Sequence, residues 1–277
     1  MNEINQLLLE YSETFSQLEN RPEWAVRKKS DSNQLVPPSI PFVGKNYDQT
    51  KVLLYASAEN LMYYTRSNEH SDILDDPMNA VNRHRYSFEK YSKDDFFPYV
   101  HIAPINDGSL LTVTSYILKK MDIIFHSKPI DLAESISLGN FGKFSIGTNE
   151  RNIDYASNIK YLKYSLPYIE ADLSILKPQV IIMPAKIYEK KAVRSLINEI
   201  LPSVTVIPIY QINARNINML FSRQYEKKEI SEISDFYEWQ KRLSNGITGK
   251  TNDNFLSVYT YIDKILEDKT NELPQKI

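Results

Sequence analysis

The stretch LKPQVIIMPAKIY, Leu176–Tyr188, contains the clearest strand in the chain, the apolar run Val180–Met183. A short apolar run bounded by prolines is typical of a strand that is buried on both faces of a sheet. The next segment, KKAVRSLINEILP at 190–202, has helical spacing, and VTVIPIY at 204–210 contains a second apolar run. This order of strand, helix and strand predicts two parallel strands that are joined by a crossover helix.

Two further strands are predicted upstream, one in KVLLYASAENL and one in GKFSIGTNERN. Apolar residues at spacings of three and four predict helices over 109–124 and 155–176. The alternation of strands and helices predicts an α/β fold, a single three-layer α/β/α domain around a mainly parallel sheet. The four predicted strands are Val52–Tyr55, Phe144–Ile146, Val180–Met183 and Val204–Ile209.

The two ends of the chain are predicted to extend this domain. Ile4–Leu18 has the spacing of an amphipathic helix, and a polar, proline-containing arm follows it. Two more helices are predicted near 230–243 and 255–266. We therefore divide the chain into an N-terminal helix and arm at 1–40, an α/β domain at 41–225 and a C-terminal helical extension at 226–277.

Composition excludes several classes of site. The chain has no cysteine, which excludes disulfides, thiolate zinc sites, iron–sulfur clusters and a cysteine nucleophile. With 33 Lys and Arg against 35 Asp and Glu, the net charge is -2, so there is no global basic field, although a local basic groove remains possible. The sequence contains no apolar run of 18 residues, and its first residues are acidic and polar. We expect a cytoplasmic protein with no membrane partner.

No metal or phosphate-loop motif stands out. His70 and His84 have no second ligand at helical metal spacing, and we interpret them as isolated surface histidines. The glycines of GNFGKFS lack the Walker pattern and precede a predicted strand, where a phosphate loop would follow one. No Gly-x-Ser-x-Gly occurs. We predict neither a metal nor a cofactor.

The candidate site lies in the loops that follow the predicted strands, because ligands of open α/β sheets bind beyond the carboxyl ends of the strands. These loops, 57–61, 148–152, 184–186 and 211–218, are rich in asparagine. An amide both donates and accepts hydrogen bonds, which suits the edge of a nucleobase. Asparagine is also common in loops for conformational reasons, so this pattern alone leaves both interpretations open.

Four segments, taken in chain order, resemble the uracil-DNA glycosylase superfamily. They are VLLYASAENL at 52–61, FSIGTNERN at 144–152, YSLPYIEADLSILKPQVIIMP at 164–184 and VTVIPIYQINARNIN at 204–218. The resemblance covers about residues 50–220, and the missing cysteines separate the chain from the iron–sulfur branch of the family. It implies base flipping and hydrolysis of an N-glycosidic bond in damaged or modified DNA, single- or double-stranded.

The resemblance also implies roles for individual residues. The position of the family's water-activating group is Ala58 here, so its neighbours Glu59 and Asn60 are the predicted catalytic groups, with Gln211 at the position of the family's histidine. Asn149 matches the asparagine that pairs with the flipped base. Tyr63 or Tyr64 is predicted to stack on that base, core packing being the alternative for both, and Asn213 is a further predicted base contact. The predicted DNA contacts near the strand ends are Lys143, Arg151, Lys186 and Arg215.

Three interpretations of function remain open at this point. The first is a glycosylase-like enzyme, and the second is a catalytically inactive nucleic-acid-binding or protein-interaction module on the same fold. The third is a nucleotide- or nucleoside-binding enzyme of another α/β family. The first interpretation predicts that Glu59, Asn149 and Gln211 converge on one pocket.

Overall fold

The fold is taken from a computed structural model, which combines helices with a mostly parallel sheet. The residues described are 2–18, 36–59, 61, 73, 76–86, 108–123, 129–145, 147–148, 151–152, 159–236, 239 and 250–269.

Five strands form the main sheet, and two short strands form a separate antiparallel pair. The strands of the main sheet are β1 (Phe42–Val43), β2 (Val52–Ala58), β3 (Ser137–Gly142), β6 (Val180–Pro184) and β7 (Thr205–Ile209), while the separate pair is β4 (Gly147–Thr148) and β5 (Arg151–Asn152). The main sheet has the spatial order β1-β3-β2-β6-β7, and all neighbours in it pair in parallel except β1 and β3. The prediction of an α/β fold with a mainly parallel sheet is confirmed, with five strands in the sheet where four were predicted.

The path of the chain through the sheet reverses between β2 and β6. The chain leaves β2 for β3 on one side, then crosses back and adds β6 and β7 on the other side of β2. In open parallel sheets the ligand crevice forms outside the carboxyl ends of the strands at such a reversal. A ligand site is therefore expected at the edge where β2, β3, β6 and β7 end, which we call the carboxyl edge.

Alternating residues of the central strands face two separate cores. Val52 and Leu54 of β2 belong to one core, and Leu53 and Tyr55 belong to the other. This alternation is the two-residue period of a strand, and it explains why both faces of the sheet are apolar. The helices and helical turns are α1 (Glu3–Ser16), α2 (Tyr47–Thr50), α3 (Pro77–Val81), α4 (Gly108–Lys120), α5 (Pro129–Ser135), α6 (Ile159–Leu162), α7 (Leu166–Leu176), α8 (Ala185–Tyr188), α9 (Lys191–Ile200), α10 (Ala214–Asn216), a π-helical turn (Ile217–Phe221), α11 (Ser222–Gln224), a 3-10 turn (Ile230–Glu232) and α12 (Lys250–Lys269).

The two terminal helices each complete one of these cores. In α1, Leu7 and Tyr11 are buried in the core that also contains residues of α7 and α9. In α12, Phe255 and Tyr259 are buried in the opposite core. Both of these helices thus share a core with the central sheet. The boundaries at 40 and 225 stay predictions. Of the helix predicted near 230–243, the described residues are 230–236, which begin with the 3-10 turn, and Trp239, which is helical.

The prediction of a strand at Phe144–Ile146 is wrong over its described residues. Phe144 and Ser145 lie beyond the end of β3, and Ile146 is outside the described residues. The strand runs through SLGNFG instead, whose glycines and polar residues conceal the alternation of buried and half-buried positions. Gly139 lets the segment before β1 approach closely, since a Cβ there would lie 3.2 Å from the Pro41 side chain. That packing is not readable from a local pattern.

None of the helices within the described ranges is long and apolar enough to span a membrane.

Gly44 tests how tightly the start of β3 is packed. A Cβ at this position would collide with the backbone of Ala133 and Glu134, and backbone cannot move aside as a side chain can. We expect Gly44→Ala to lower the free energy of unfolding by about 1–3 kcal/mol in urea denaturation. Gly139→Ala is the matched control, because its Cβ would lie 3.2 Å from the Pro41 side chain and no closer than 3.5 Å to backbone. If Gly44→Ala lowers the free energy of unfolding no more than Gly139→Ala does, this packing is contradicted.

Candidate functional site

Glu59 lies at the carboxyl edge, directly after β2, but its side chain is buried. The Glu59 Oε1 atom accepts a hydrogen bond from Arg83 Nε at 2.9 Å. On the other side, Oε2 lies 3.3 Å from Asn140 Nδ2 and 3.4 Å from His84 Nε2. The carboxylate is therefore enclosed by groups from β3 and from the helical residues 83–86.

Arg83 connects this carboxylate to the segment that precedes β1. Its Nη1 atom donates to the carbonyl oxygen of Pro37 at 2.8 Å and also to that of Ala80. The neighbouring His84 is held as well, because its backbone N–H donates to Ser39 Oγ at 3.2 Å. Arg83 thus holds the segment before β1 and the end of α3 against the end of β2.

The surroundings of Glu59 keep it ionised. Burial by itself would raise the pKa of Glu59, but the charge of Arg83, followed by His84 and the hydrogen bonds from both, outweighs burial and holds this pKa well below its usual range. A carboxylate with so low a pKa has little affinity for a proton, which makes it a poor general base. Glu59 is thus a buried, paired carboxylate, and its activation of water stays a prediction.

A second buried ionic group lies behind the first. The Asp172 carboxylate, in α7, accepts hydrogen bonds from Tyr11 at 2.6 Å, from Tyr55 at 2.8 Å and from the Lys143 ammonium at 2.7 Å. All four side chains are buried. Burial lowers the pKa of Lys143, and the Asp172 charge opposes that effect. The charges of Glu59 and Arg83 also act on Lys143, so the two ionic groups are electrostatically connected.

The prediction that Lys143 contacts DNA is wrong. Its side chain is only 1% exposed, and its ammonium pairs with Asp172 in the interior. A phosphate outside the protein has no access to this cation. The sequence analysis placed Lys143 directly before the predicted strand at 144–146, whereas the structure places it directly after β3, which ends at Gly142. The direction of its side chain depends on Asp172, 29 residues further along the chain.

The ends of β6 and β7 carry the predicted residues that are exposed. Lys186 in α8, Gln211 after β7 and Arg215 in α10 are all exposed. One polar atom of the Asn213 side chain is used within the protein, because Oδ1 caps α10 by accepting a hydrogen bond from the Asn216 backbone N–H at 2.8 Å. Its amide nitrogen is the polar group that remains for a ligand.

The predicted site residues do not all come together. Glu59 is buried after β2, whereas Gln211 is exposed beyond β7, and β6 separates the two strands. Adjacent strands lie about 4.8 Å apart, so the ends of β2 and β7 are about 10 Å apart. Only the backbone of Arg151 is described, in β5. Outside the described residues lie Asn60, Tyr63, Tyr64 and Asn149.

Several central residues were not predicted. His84 is buried beside Glu59, so its interpretation as an isolated surface histidine is wrong. Arg83, Asn140 and Asp172 were not predicted at all. A signal existed for Asp172, which shares the apolar face of α7 with Tyr168, Ile169 and Leu176 at spacings of three and four. A lone carboxylate on an apolar helix face indicates a buried partner.

Comparisons with known proteins give no match, whether with protein-family models, with curated proteins or with solved structures. Among the residues that the structure describes, no group of three or more histidines and carboxylates is arranged to hold a metal ion.

The Glu59 ion pair has a pH signature. Because the folded-state pKa of Glu59 lies below its unfolded value of about 4.3, the unfolded chain binds more protons in acid. The stability that Glu59 contributes is present above that pH and is lost as the pH falls further. We expect Glu59→Gln to lower the free energy of unfolding by roughly 3–5 kcal/mol at pH 7, because the buried Arg83 loses its counter-charge.

In acid the difference in the free energy of unfolding between wild type and Glu59→Gln should become smaller. Urea denaturation at pH 7, 5 and 3 measures this difference. Glu199→Gln, at an exposed position of α9, is the control and should leave stability nearly unchanged. A gap that stays constant down to pH 3 would show that Glu59 is not a paired carboxylate.

Proposed function

We propose that the chain is a uracil-DNA glycosylase-like protein that binds an unpaired DNA base at the carboxyl edge of its sheet. One observation carries this proposal: the parallel order β3-β2-β6-β7, with its reversal between β2 and β6. That order brings the ends of β2, β3, β6 and β7 to one edge, and ligands of such sheets bind there. Of the four segments that resemble the family, three contain β2, β6 and β7, and the fourth, 144–152, follows β3.

The exposed groups after β6 and β7 suit a nucleotide. Lys186 and Arg215 supply cations for phosphate oxygens, and the Gln211 amide both donates and accepts, as the edge of a base requires. Pro184 and Ile209 are register partners in β6 and β7, so the two loops leave the sheet side by side. Cations and amide therefore share one end of the sheet.

Base removal is the activity that the resemblance implies, and it requires an activated water. Glu59, the predicted activating group, is already paired with Arg83 and surrounded by His84 and Asn140. This pairing favours a second candidate, a protein that binds the base without cleaving its N-glycosidic bond. Binding and cleavage are therefore measured separately.

Binding is tested with fluorescein-labelled oligonucleotides that carry uracil, hypoxanthine or thymine at one position, both single-stranded and in duplex. We expect the wild type to bind an oligonucleotide with uracil or hypoxanthine more tightly than one with thymine in fluorescence anisotropy. Lys186→Gln combined with Arg215→Gln should weaken binding about tenfold. Two lost phosphate contacts should also reduce the slope of log affinity against log salt by about 1.4 on single strands.

Lys45→Gln combined with Lys177→Gln is the matched control. Lys45 follows β1 and Lys177 precedes β6, so both lie at the opposite edge of the sheet, and both are exposed. This variant should bind like the wild type. Equal losses in the two double variants, or no preference for any base, would overturn the proposal.

Cleavage is measured on the same oligonucleotides by heating them in alkali, which breaks the strand at an abasic site. Strand breaks with wild type support the enzyme, and base-dependent binding without breaks supports the second candidate. Free nucleotide is added as a competitor. If it displaces the oligonucleotide completely at a concentration similar to the dissociation constant of the oligonucleotide, a nucleotide-binding enzyme is favoured.

A further inference from the structure

We propose that Tyr210 is a stacking platform for an unpaired base and that it makes the carboxyl edge selective for single-stranded over duplex DNA. This inference rests on the proposed function only in taking the ligand to be DNA. Tyr210 belongs to none of the predicted catalytic, base-binding or phosphate-binding groups.

Tyr210 combines a fixed backbone with an exposed ring. It is the first residue after β7, and its backbone N–H donates to Tyr261 Oη at 2.9 Å. The residue is 40% exposed, and its ring centre lies 6.1 Å from that of Tyr261 in α12. Most other described tyrosines of the sheet and its helices, such as Tyr55 and Tyr168, are buried in the cores. An ordered aromatic ring with an open face is what stacking on a base requires.

The strand that pairs with β7, β6, is followed by a segment rich in cations. Because Pro184 and Ile209 are register partners, the residues after them, with Lys186 and Tyr210 among them, start from neighbouring strand ends. Residues 186–194 contain four cations and one carboxylate, and α9 begins within this segment. The four cations are Lys186, Lys190, Lys191 and Arg194, and the carboxylate is Glu189. Of these cations, Lys186, Lys191 and Arg194 are exposed, and Arg215, five residues after Tyr210, is a further exposed cation.

A few cations at the same end of the sheet as one exposed ring fit a single strand better than a duplex. In duplex DNA the base faces are covered by stacked neighbours, so an aromatic ring at the protein surface cannot reach one. Duplex binding without sequence preference depends on many phosphate contacts, and the chain as a whole has a net charge of -2. A single strand needs only a few phosphate contacts once its bases stack on aromatic side chains.

The test uses a thymine oligonucleotide of about 12 nucleotides with one 2-aminopurine, whose fluorescence is quenched when it stacks. We expect wild type and Tyr210→Phe to bind the single strand with similar affinity and to change the 2-aminopurine emission alike. Tyr210→Leu keeps apolar volume but lacks a ring, so it should bind about tenfold more weakly and leave the emission nearly unchanged. The same sequence as a duplex should bind wild type at least tenfold more weakly than the single strand does.

Tyr86→Leu is the matched control, because Tyr86 is also 40% exposed but lies in the helical residues 83–86. It should bind like the wild type. The inference is overturned if Tyr210→Leu keeps the affinity and emission change of the wild type, if both leucine variants lose affinity equally, or if the duplex binds as tightly as the single strand.

Failure of this inference and failure of the proposed function are distinguishable. Single-strand binding that depends on Tyr210, but with no preference for uracil or hypoxanthine and no cleavage, supports the platform and removes the glycosylase-like function. Base-dependent binding that is unaffected by Tyr210→Leu supports the glycosylase-like function and removes the platform.

Discussion

The rest of the structure depends on the ion pair and hydrogen bonds of the buried Asp172 carboxylate. It is fully buried, and an uncompensated charge in that position would cost several kcal/mol. Three donors compensate it: Tyr11 from α1, Tyr55 from β2 and Lys143 from the segment after β3. Because these donors come from separate parts of the chain, the N-terminal helix, the central strand and the end of β3 have to assemble around α7 together. The N-terminal helix is thus an integral part of this packing.

The same arrangement decides which part of the carboxyl edge is open. Lys143 after β3 and Glu59 after β2 both turn inward, to Asp172 and Arg83. The ends of β2 and β3 are therefore closed by buried ion pairs. Beyond β6 and β7 the polar and aromatic side chains stay exposed, among them Lys186 and Tyr210. Charged residues at these strand ends look equivalent in the sequence, but burial separates them, and a ligand can reach the described ones that follow β6 and β7.

The parts of the fold that local pattern determines could be predicted from the sequence. The strands β2, β6 and β7 are apolar runs, and their prediction is confirmed. The strand β3 was misplaced, because its glycines and polar residues conceal the alternation, and Gly139 packs against Pro41, which is distant in the sequence. The direction of Glu59 depends on Arg83, 24 residues away, and no local spacing reports such a partner. For Asp172, by contrast, the helical spacing of α7 contains the signal of a buried carboxylate.

Hydrogen–deuterium exchange of the full chain, with and without a saturating single-stranded oligonucleotide, tests most directly whether the ligand binds beyond β6 and β7. Backbone amides in ligand-contacting loops exchange more slowly when the ligand restricts their opening. We predict slower exchange in peptides that cover 185–191 and 210–216, and unchanged exchange at the opposite edge, in 44–51 and 177–179. Protection confined to the opposite edge, or no protection in the loops after β6 and β7 at saturation, would contradict binding at this end of the sheet.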